Sequence, residues 1–243
     1  MRKLIDKNFK IFVDFDGTIT KTDVGEALFL VFGDADESRR IIERWINKEI
    51  TSIESWQLLC NTVKEFDENE FDKFLTTIEI DNSFHDLVKY CKENKYDIYV
   101  LSDGLDYYIK KILKREGLSE IKVFSNHLEF SEKMELIPSF PYTDEECKRC
   151  ANCKRNHILD NSDDDDFTIY IGDGYSDTCA AQFTDFIFAK SSLLKFCEIN
   201  RISFFPFDSF SDVINRIESL GNKKRLKKRH QAELKRREVY LQG

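Results

Sequence analysis

The chain has 243 residues, enough for one large domain or a core with a smaller companion, and 41% of them are hydrophobic, including 21 Phe, which excludes general disorder. Lys and Arg number 37 against 45 Asp and Glu; about +7 of the charge falls in 222–243, leaving about −15 on the body. An acidic body argues against nucleic acid as the main ligand, and no apolar run approaches a membrane span.

The opening residues, Met1-Arg2-Lys3-Leu4-Ile5-Asp6-Lys7, lack the apolar centre of a secretory signal, so a cytoplasmic protein is expected. Residues 8–14 read as a first strand. Its apolar run Ile11-Phe12-Val13 is typical of a buried strand and ends in Asp14 and Asp16, followed by Gly17 and Thr18 as a loop signal. From Asp23 to about Ile78 the pattern is helical throughout, with Thr51 and Glu54 forming a capping box and a further helix from about Asn69 to Thr77. Trp45 and Trp56 in this stretch read as core side chains rather than substrate stackers.

Helix and strand then alternate. A helix carries Phe84, Leu87 and Cys91; Asp97–Leu101 is a short strand ending in Ser102-Asp103-Gly104; Leu105–Arg115 is a helix and Ile121–Phe124 a strand. Residues 126–145 are less regular and could hold a hairpin. Lys154–Asp160 is a short helix, and Asp163–Asp166 a solvated acidic turn. Phe167–Ile171 is a strand ending in Gly172-Asp173-Gly174, with a helix through Ala180 and Ala181. Strands at Phe186–Ala189 and Ile202–Phe205, and helices at Leu193–Glu198 and Val213–Leu220, complete the pattern. The expected fold is α/β: a Rossmann-like, doubly wound, mainly parallel sheet with a small helical cap inserted after the first strand. The core domain is 1–20 with 80–221, the cap 21–79, and 222–243 a basic, self-repelling, solvated tail dispensable for turnover.

Three strands thus end in polar clusters: Asp14/Asp16, Ser102/Asp103/Gly104 and Asp173/Asp177. In a parallel sheet these ends share one edge, where ligands bind. Two acids at the end of a buried strand are costly unless paired, and a divalent cation is a common solution. Lys154, alone a surface charge, could neutralise phosphate beside such a site. The run Cys147-x-x-Cys150-x-x-Cys153 could supply part of a zinc or iron–sulfur site with His157, or remain free or redox-active thiols. An odd total of seven Cys argues against a disulfide framework.

Asp14-Phe15-Asp16-Gly17-Thr18, Ser102, Lys154, and Gly172-Asp173-Gly174 with Ser176-Asp177 resemble, in order, the motifs of the haloacid dehalogenase superfamily of aspartate-nucleophile phosphohydrolases, in its phosphoserine-phosphatase-like branch. Asp23, Ser102 to Tyr108, the Cys-rich segment before Lys154, and Phe188-Ala189-Lys190 are similar to the methionine-salvage group that acts on 2-hydroxy-3-keto-5-methylthiopentenyl-1-phosphate. Asp103 stands where that group tends to have Gly. The resemblance implies a hydrolase of a small phosphomonoester metabolite, working with Mg²⁺. Asp14 would be the nucleophile and Asp16 the general acid and base. Thr18, Ser102, Asp103, Gly104 and Lys154 would bind phosphate. Asp14, Asp16 (through its carbonyl) and Asp173 would hold the metal, and Asp177 would support it or Lys154 from behind. Asp23 and Glu26, at the start of the insert, would lie near the pocket mouth and read the leaving group, or Asp23 would merely cap the first helix of the insert. Phosphoryl transfer to another acceptor, or a regulatory or binding protein on the same fold, are the alternatives. No membrane partner is expected, and the oligomeric state is not legible.

Overall fold

The computed structural model describes residues 7–242. Most of the N-terminal stretch judged to lack a secretory signal, 1–6, therefore lies outside the described residues, as does Gly243. The described chain is α/β, with seven strands in the order β4-β3-β2-β1-β5-β6-β7. They are β1 (Phe9–Val13), β2 (Asp97–Leu105), β3 (Lys122–Phe130), β4 (Leu136–Ser139), β5 (Phe167–Gly172), β6 (Phe186–Ala189) and β7 (Phe205–Pro206). The chain divides into two compact units, 1–14 with 80–100 and 154–243, and 15–79 with 101–153. Strand β2 contributes to both.

In the first unit β1 is parallel to β2 and to β5, with Val13 level with Val100 on one side and Ile171 on the other. Ile11, Phe12 and Val13 are fully buried, as expected of a strand flanked on both sides. β6 and β7 extend the parallel ladder beyond β5. Because β1 and β5 run the same way, Asp14 and Asp173 leave the sheet at one edge. Helix α5 (Ser83–Asn94) packs on α9 (Phe210–Gly221), with the Phe84 and Phe210 rings 5.0 Å apart and the Phe210 amide donating to Ser83 Oγ at 2.9 Å.

The second unit begins with a turn in which Gly17 adopts φ 72°, a left-handed conformation that favours glycine. Thr20, fully buried, ties this turn by donating to the Phe15 carbonyl at 3.1 Å. Helices α1 (Val24–Phe32), α2 (Ala35–Ile46), α3 (Ser52–Thr62) and α4 (Glu68–Thr77) follow, and Thr51 and Glu54 make the expected capping box. Phe32, Phe66, Phe71 and Phe74 form an aromatic cluster with Tyr107 and Phe130. Tyr107 lies on α6 (Asp106–Arg115), whose Arg115 donates to the carbonyls of Leu75 and Ile78 at 2.6 Å each. β3 and β4 form an antiparallel hairpin within the segment where one was expected.

Several elements differ from expectation. β2 continues through Ser102, Asp103 and Gly104 rather than stopping before them, and the carbonyls of the first two have side-chain partners. Asn152 donates to the Ser102 carbonyl, and Asn126 to that of Asp103. β3 extends to Phe130, and β7 is only two residues long. The helix expected through Ala180 is instead a 3₁₀ turn, Ala180–Phe183. Asp166 is buried, not solvated, and accepts from Asn8 Nδ2 at 2.6 Å and the Asp163 amide at 2.8 Å.

The largest departure lies in the expected solvated tail: Lys223, Lys224, Arg225 and Lys227 are exposed as expected, but the end of the tail is packed. Residues His230–Gln242 form α10, which packs on Ala180–Phe183, burying Ala232 completely. Two of the tail's arginines are engaged rather than solvated. Arg236 bridges Asp185 at 2.9 Å and donates to the Phe183 carbonyl at 2.6 Å, and Arg229 donates to the Ala181 carbonyl at 2.6 Å. Asp185 is itself buried and accepts from Thr168. Removing the cation from such a pair leaves a buried, unpaired charge, so Arg236→Ala should lower stability by ~3 kcal/mol. Urea denaturation checks this; an unshifted midpoint would mean that α10 does not hold the body.

Candidate active site

In the first unit the ends of β1 and β5 gather three carboxylates, two of which share one ammonium. The Asp14 amide prolongs the ladder by donating to the Ile171 carbonyl at 2.9 Å, which fixes its side chain just past the strand. Lys154 opens α7 (Lys154–Asp160) and is only 3% exposed. Its ammonium donates to Asp14 Oδ1 and Asp177 Oδ1, both at 2.6 Å, and to Ser176 Oγ at 3.1 Å. These three acceptors use all three of its protons.

Asp177 ends the 3₁₀ turn Tyr175–Asp177 and accepts four hydrogen bonds. Lys154 and the Tyr170 hydroxyl, each at 2.6 Å, share Oδ1; the amides of Asp173 and Gly174, at 3.0 and 2.9 Å, share Oδ2. Gly172 makes this approach possible, since a Cβ there would stand 2.4 Å from Asp177 Oδ2. Oxygens of Asp14, Asp173 and Asp177 lie within 4.8 Å of one another, the one such cluster of three candidate ligands among the described residues.

Burial raises the Asp14 pKa well above the usual carboxylate range, and the Asp177 charge adds to this while Lys154 opposes it. Burial also works to lower the Lys154 pKa, but Asp14 and Asp177 outweigh it and hold the ammonium well above its ordinary value. When ionised, the three carboxylates exceed the one ammonium by two negative charges. An all-oxygen set with that excess fits a hard divalent cation. Four donors fill the lone-pair positions of the Asp177 carboxylate, so Asp14 and Asp173 are the residues suited to ligate, with Asp177 orienting Lys154.

The second unit holds Asp16. Its Oδ1 accepts from the amides of Val24 and Gly25, at 3.0 and 3.3 Å, in the first turn of α1. Its Oδ2 accepts from Ser102 Oγ at 3.1 Å and the buried Tyr108 hydroxyl at 2.9 Å. Burial pushes the Asp16 pKa up to about 7, Asp23 adds to the rise, and these donors restrain it. A carboxyl poised there can both give and take a proton near neutrality. Gly104 is needed beside it: a Cβ would lie 1.8 Å from the Tyr108 hydroxyl and 2.7 Å from Asp16 Oδ2.

Asp14, Lys154, Asp173 and Asp177 are thus brought together in one unit, and Asp16, Ser102, Gly104 and Asp23 in the other. Thr18 is buried in the turn after Asp16. The Gly104 amide donates to Ser102 Oγ at 2.9 Å, and Asp103 receives the Ser52 hydroxyl and, at 3.0 Å, the Asn152 amide. Asp23 caps α1 by accepting from the Glu26 amide at 2.8 Å. Burial raises the Glu26 pKa, and Asp23 adds to it. Trp45 and Trp56 are both half-buried.

Sequence reasoning missed Tyr108, Tyr170 and Asn152. Both tyrosines lie in or beside apolar runs and read as core; Asn152 is hidden inside the cysteine run. That run forms no cluster of three ligands: Cys147 is exposed and Cys153 buried, and none of the seven cysteines is in a disulfide. Asn152 provides its ties, with its side-chain amide donating to the carbonyls of Ser102 at 2.7 Å and Phe124 at 2.9 Å.

A family model described as "Putative Phosphatase" matches residues 9–193. The 2-hydroxy-3-keto-5-methylthiopentenyl-1-phosphate phosphatases of Bacillus cereus (strain ATCC 10987) and Bacillus thuringiensis (strain Al Hakam) are each 32% identical over 217 residues, 88% of this chain and 97% of theirs. Among solved structures, a phospho-aspartyl intermediate analogue of phosphoserine phosphatase superposes with a TM-score of 0.67 at 18% identity, covering 87% of this chain and 99% of that one. A substrate-bound phosphoserine phosphatase gives 0.67 at 17% identity, covering 86% and 98%. The structural likenesses carry the fold, the family match and the Bacillus relatives carry the kinship, and the chain belongs to this phosphatase family within the haloacid dehalogenase superfamily.

Proposed function

We propose that the protein hydrolyses a small phosphomonoester through an aspartyl-phosphate on Asp14, with Mg²⁺ as cofactor. The observation that carries this is the buried Asp14 carboxylate at 2.6 Å from Lys154, beside Asp173 and Asp177. An Asp14 carboxylate oxygen attacks phosphorus, and the bond to the leaving oxygen breaks as the acyl phosphate forms. Asp16 gives its proton to the leaving alkoxide, then takes one from the water that attacks the aspartyl-phosphate, releasing inorganic phosphate and regenerating Asp14. Lys154, held by Asp177, steadies charge on the phosphoryl oxygens, and Thr18, Ser102 and the Asp103 amide bind them, with the Gly104 amide holding the Ser102 hydroxyl oxygen.

Mg²⁺, held by the carboxylates of Asp14 and Asp173 and by the Asp16 carbonyl, would supply Lewis-acid neutralisation of the phosphoryl oxygens. The helices of 21–79 act as a cap that excludes water and reads the leaving group, with Asp23 and Glu26 at its start. The names of the 32% identical relatives make 2-hydroxy-3-keto-5-methylthiopentenyl-1-phosphate the first substrate to try. Seven unbridged thiols suit a reducing, cytoplasmic setting.

The test is a panel of phosphorylated metabolites, including that compound, assayed with Mg²⁺, with Ca²⁺ and after chelation. Turnover should need Mg²⁺, stop with EDTA and recover poorly in Ca²⁺, whose looser coordination suits in-line displacement badly. Full activity after exhaustive chelation would remove the metal from the mechanism, and no turnover of any phosphomonoester would remove the hydrolase reading.

A further inference from the structure

Resting on the phosphatase reading above, we infer that Asp103 is a positioning residue: its carboxylate moors the helical insert to the strand end that carries Ser102, and through the insert it holds the proton-transferring Asp16 in place. The alternation of β2 separates Asp103 from its neighbours, since successive side chains of a strand point to opposite faces. Ser102 Oγ reaches Asp16 Oδ2 at 3.1 Å, and a Cβ on Gly104 would lie 2.7 Å from the same oxygen. Asp103, between them, turns its carboxylate the other way, to groups of the insert and of the cysteine-bearing loop.

Those groups close a ring. Asp103 Oδ2 accepts from the hydroxyl of Ser52, and Oδ1 from the amide of Asn152 at 3.0 Å. The Ser52 amide, in the first turn of α3, has no acceptor within its own helix and donates to the Arg149 carbonyl at 3.1 Å. The cysteine run thereby acquires a role, because its backbone at Arg149 and Asn152 supplies two sides of the ring. Ser52 and Asn152 are 4% and 1% exposed, so water competes little for these bonds.

From Ser52 the contacts run on to Asp16. Trp56, one turn along α3, meets Phe29 of α1 edge to face at 5.7 Å, and its Cη2 would lie 3.0 Å from a Cβ on Gly25. The amides of Gly25 and its neighbour Val24 are the ones that hold Asp16 Oδ1. Asp103, α3, α1 and Asp16 all belong to the second unit. Loosening α3 therefore loosens the donors that orient the Asp16 carboxyl. A misplaced acid costs most where a proton must be given to the leaving oxygen.

The test uses the full chain with Mg²⁺ and two esters: the best alkyl phosphomonoester of the panel, and p-nitrophenyl phosphate, whose leaving group departs without a proton. The quantity compared is kcat/KM, which covers the steps up to release of the alcohol. Asp103→Ala should lower it by about tenfold or more on the alkyl ester and by about threefold at most on p-nitrophenyl phosphate. Ser52→Ala should show the same bias, and the double variant should be no worse than Asp103→Ala alone, since both substitutions break one bond. Asp103→Asn should recover most of the loss, with Oδ1 accepting from the Asn152 amide and Nδ2 donating to the Ser52 hydroxyl. Equal losses on the two esters, additive effects of Ser52→Ala and Asp103→Ala, or a Ser52→Ala variant with the wild-type ratio would overturn the assignment. So would Asp103→Asn as impaired as Asp103→Ala, which would mean that the charge itself acts on the substrate. If Asp103→Ala does not fold, Ser52→Ala and Asp103→Asn decide by the same criteria. No hydrolysis of either ester by the wild type would instead bring down the phosphatase reading, and the inference with it.

Discussion

Asp14→Asn should abolish turnover while leaving the fold standing. The nucleophile is lost outright, and losses of nucleophiles elsewhere reach about 10⁴-fold or more in kcat. Stability should move in the opposite direction from activity. Asp14 is buried beside Asp177 and Asp173, and its pKa is raised because burial and those neighbours disfavour the charged form. An amide of the same shape removes that penalty, while Lys154 keeps Asp177 and Ser176 as acceptors. In metal-free buffer the variant should therefore melt at or above the wild-type temperature. Steady-state kinetics and thermal unfolding check the two halves. Turnover above a contamination control would remove Asp14 as nucleophile, and a variant that fails to fold would mean its charge is structural.

Lys154→Ala should lose both activity and stability. It leaves Asp14 and Asp177, 4% and 0% exposed, without their shared cation. Removing one partner from a buried ion pair costs about 3–5 kcal/mol, and here two carboxylates lose the same partner. They would also repel each other, so the loss should lie at the upper end of that range. A divalent cation binding the folded state should recover part of it by mass action. Mg²⁺ should thus raise the melting temperature of the variant more than that of the wild type. If Lys154→Ala unfolds at the wild-type denaturant concentration, the ammonium does not hold this cluster.

The carboxylates of the candidate site stood out in the sequence because the physics that buries β1 is written in consecutive residues. Ile11, Phe12 and Val13 form an unbroken apolar run, and polar residues that interrupt such a run at its end stand out. The same contrast marks Asp173 after β5. Lys154 could be placed only through the order of the motifs, since a lone lysine at a helix start carries no local sign of burial. Tyr108 and Tyr170 were not legible: a tyrosine among apolar residues looks like core until a hydroxyl is seen donating to a carboxylate.

Two larger misses share a cause. β2 was expected to stop at Leu101 because Ser102-Asp103-Gly104 is turn chemistry by composition. Its strand geometry is maintained from outside by Asn152 and Asn126, distant in sequence. The tail was expected to be solvated because 223–229 is dense in like charge. Most of that run is exposed, but helix α10 docks through Arg236, with Arg229 just before it; they reach carbonyl oxygens and Asp185, so no apolar stripe announced it. In both cases the stabilising partners are polar and remote, and periodicity is blind to them.

The most direct measurement is chemical capture of the intermediate. Enzyme mixed with Mg²⁺ and the best substrate of the panel would be quenched in acid, reduced with borohydride and digested for peptide mass spectrometry. Borohydride reduces an acyl phosphate to the alcohol, so an aspartyl-phosphate on Asp14 should be read as homoserine at position 14. Asp16→Asn should increase its yield, because the water that resolves the intermediate loses its base. Asp14→Asn should show none. Homoserine at position 14 in the wild type, enriched by Asp16→Asn, is the expected result. A turning-over enzyme with no reduced residue at position 14, or with the label at another aspartate, would contradict the assignment of Asp14 as nucleophile.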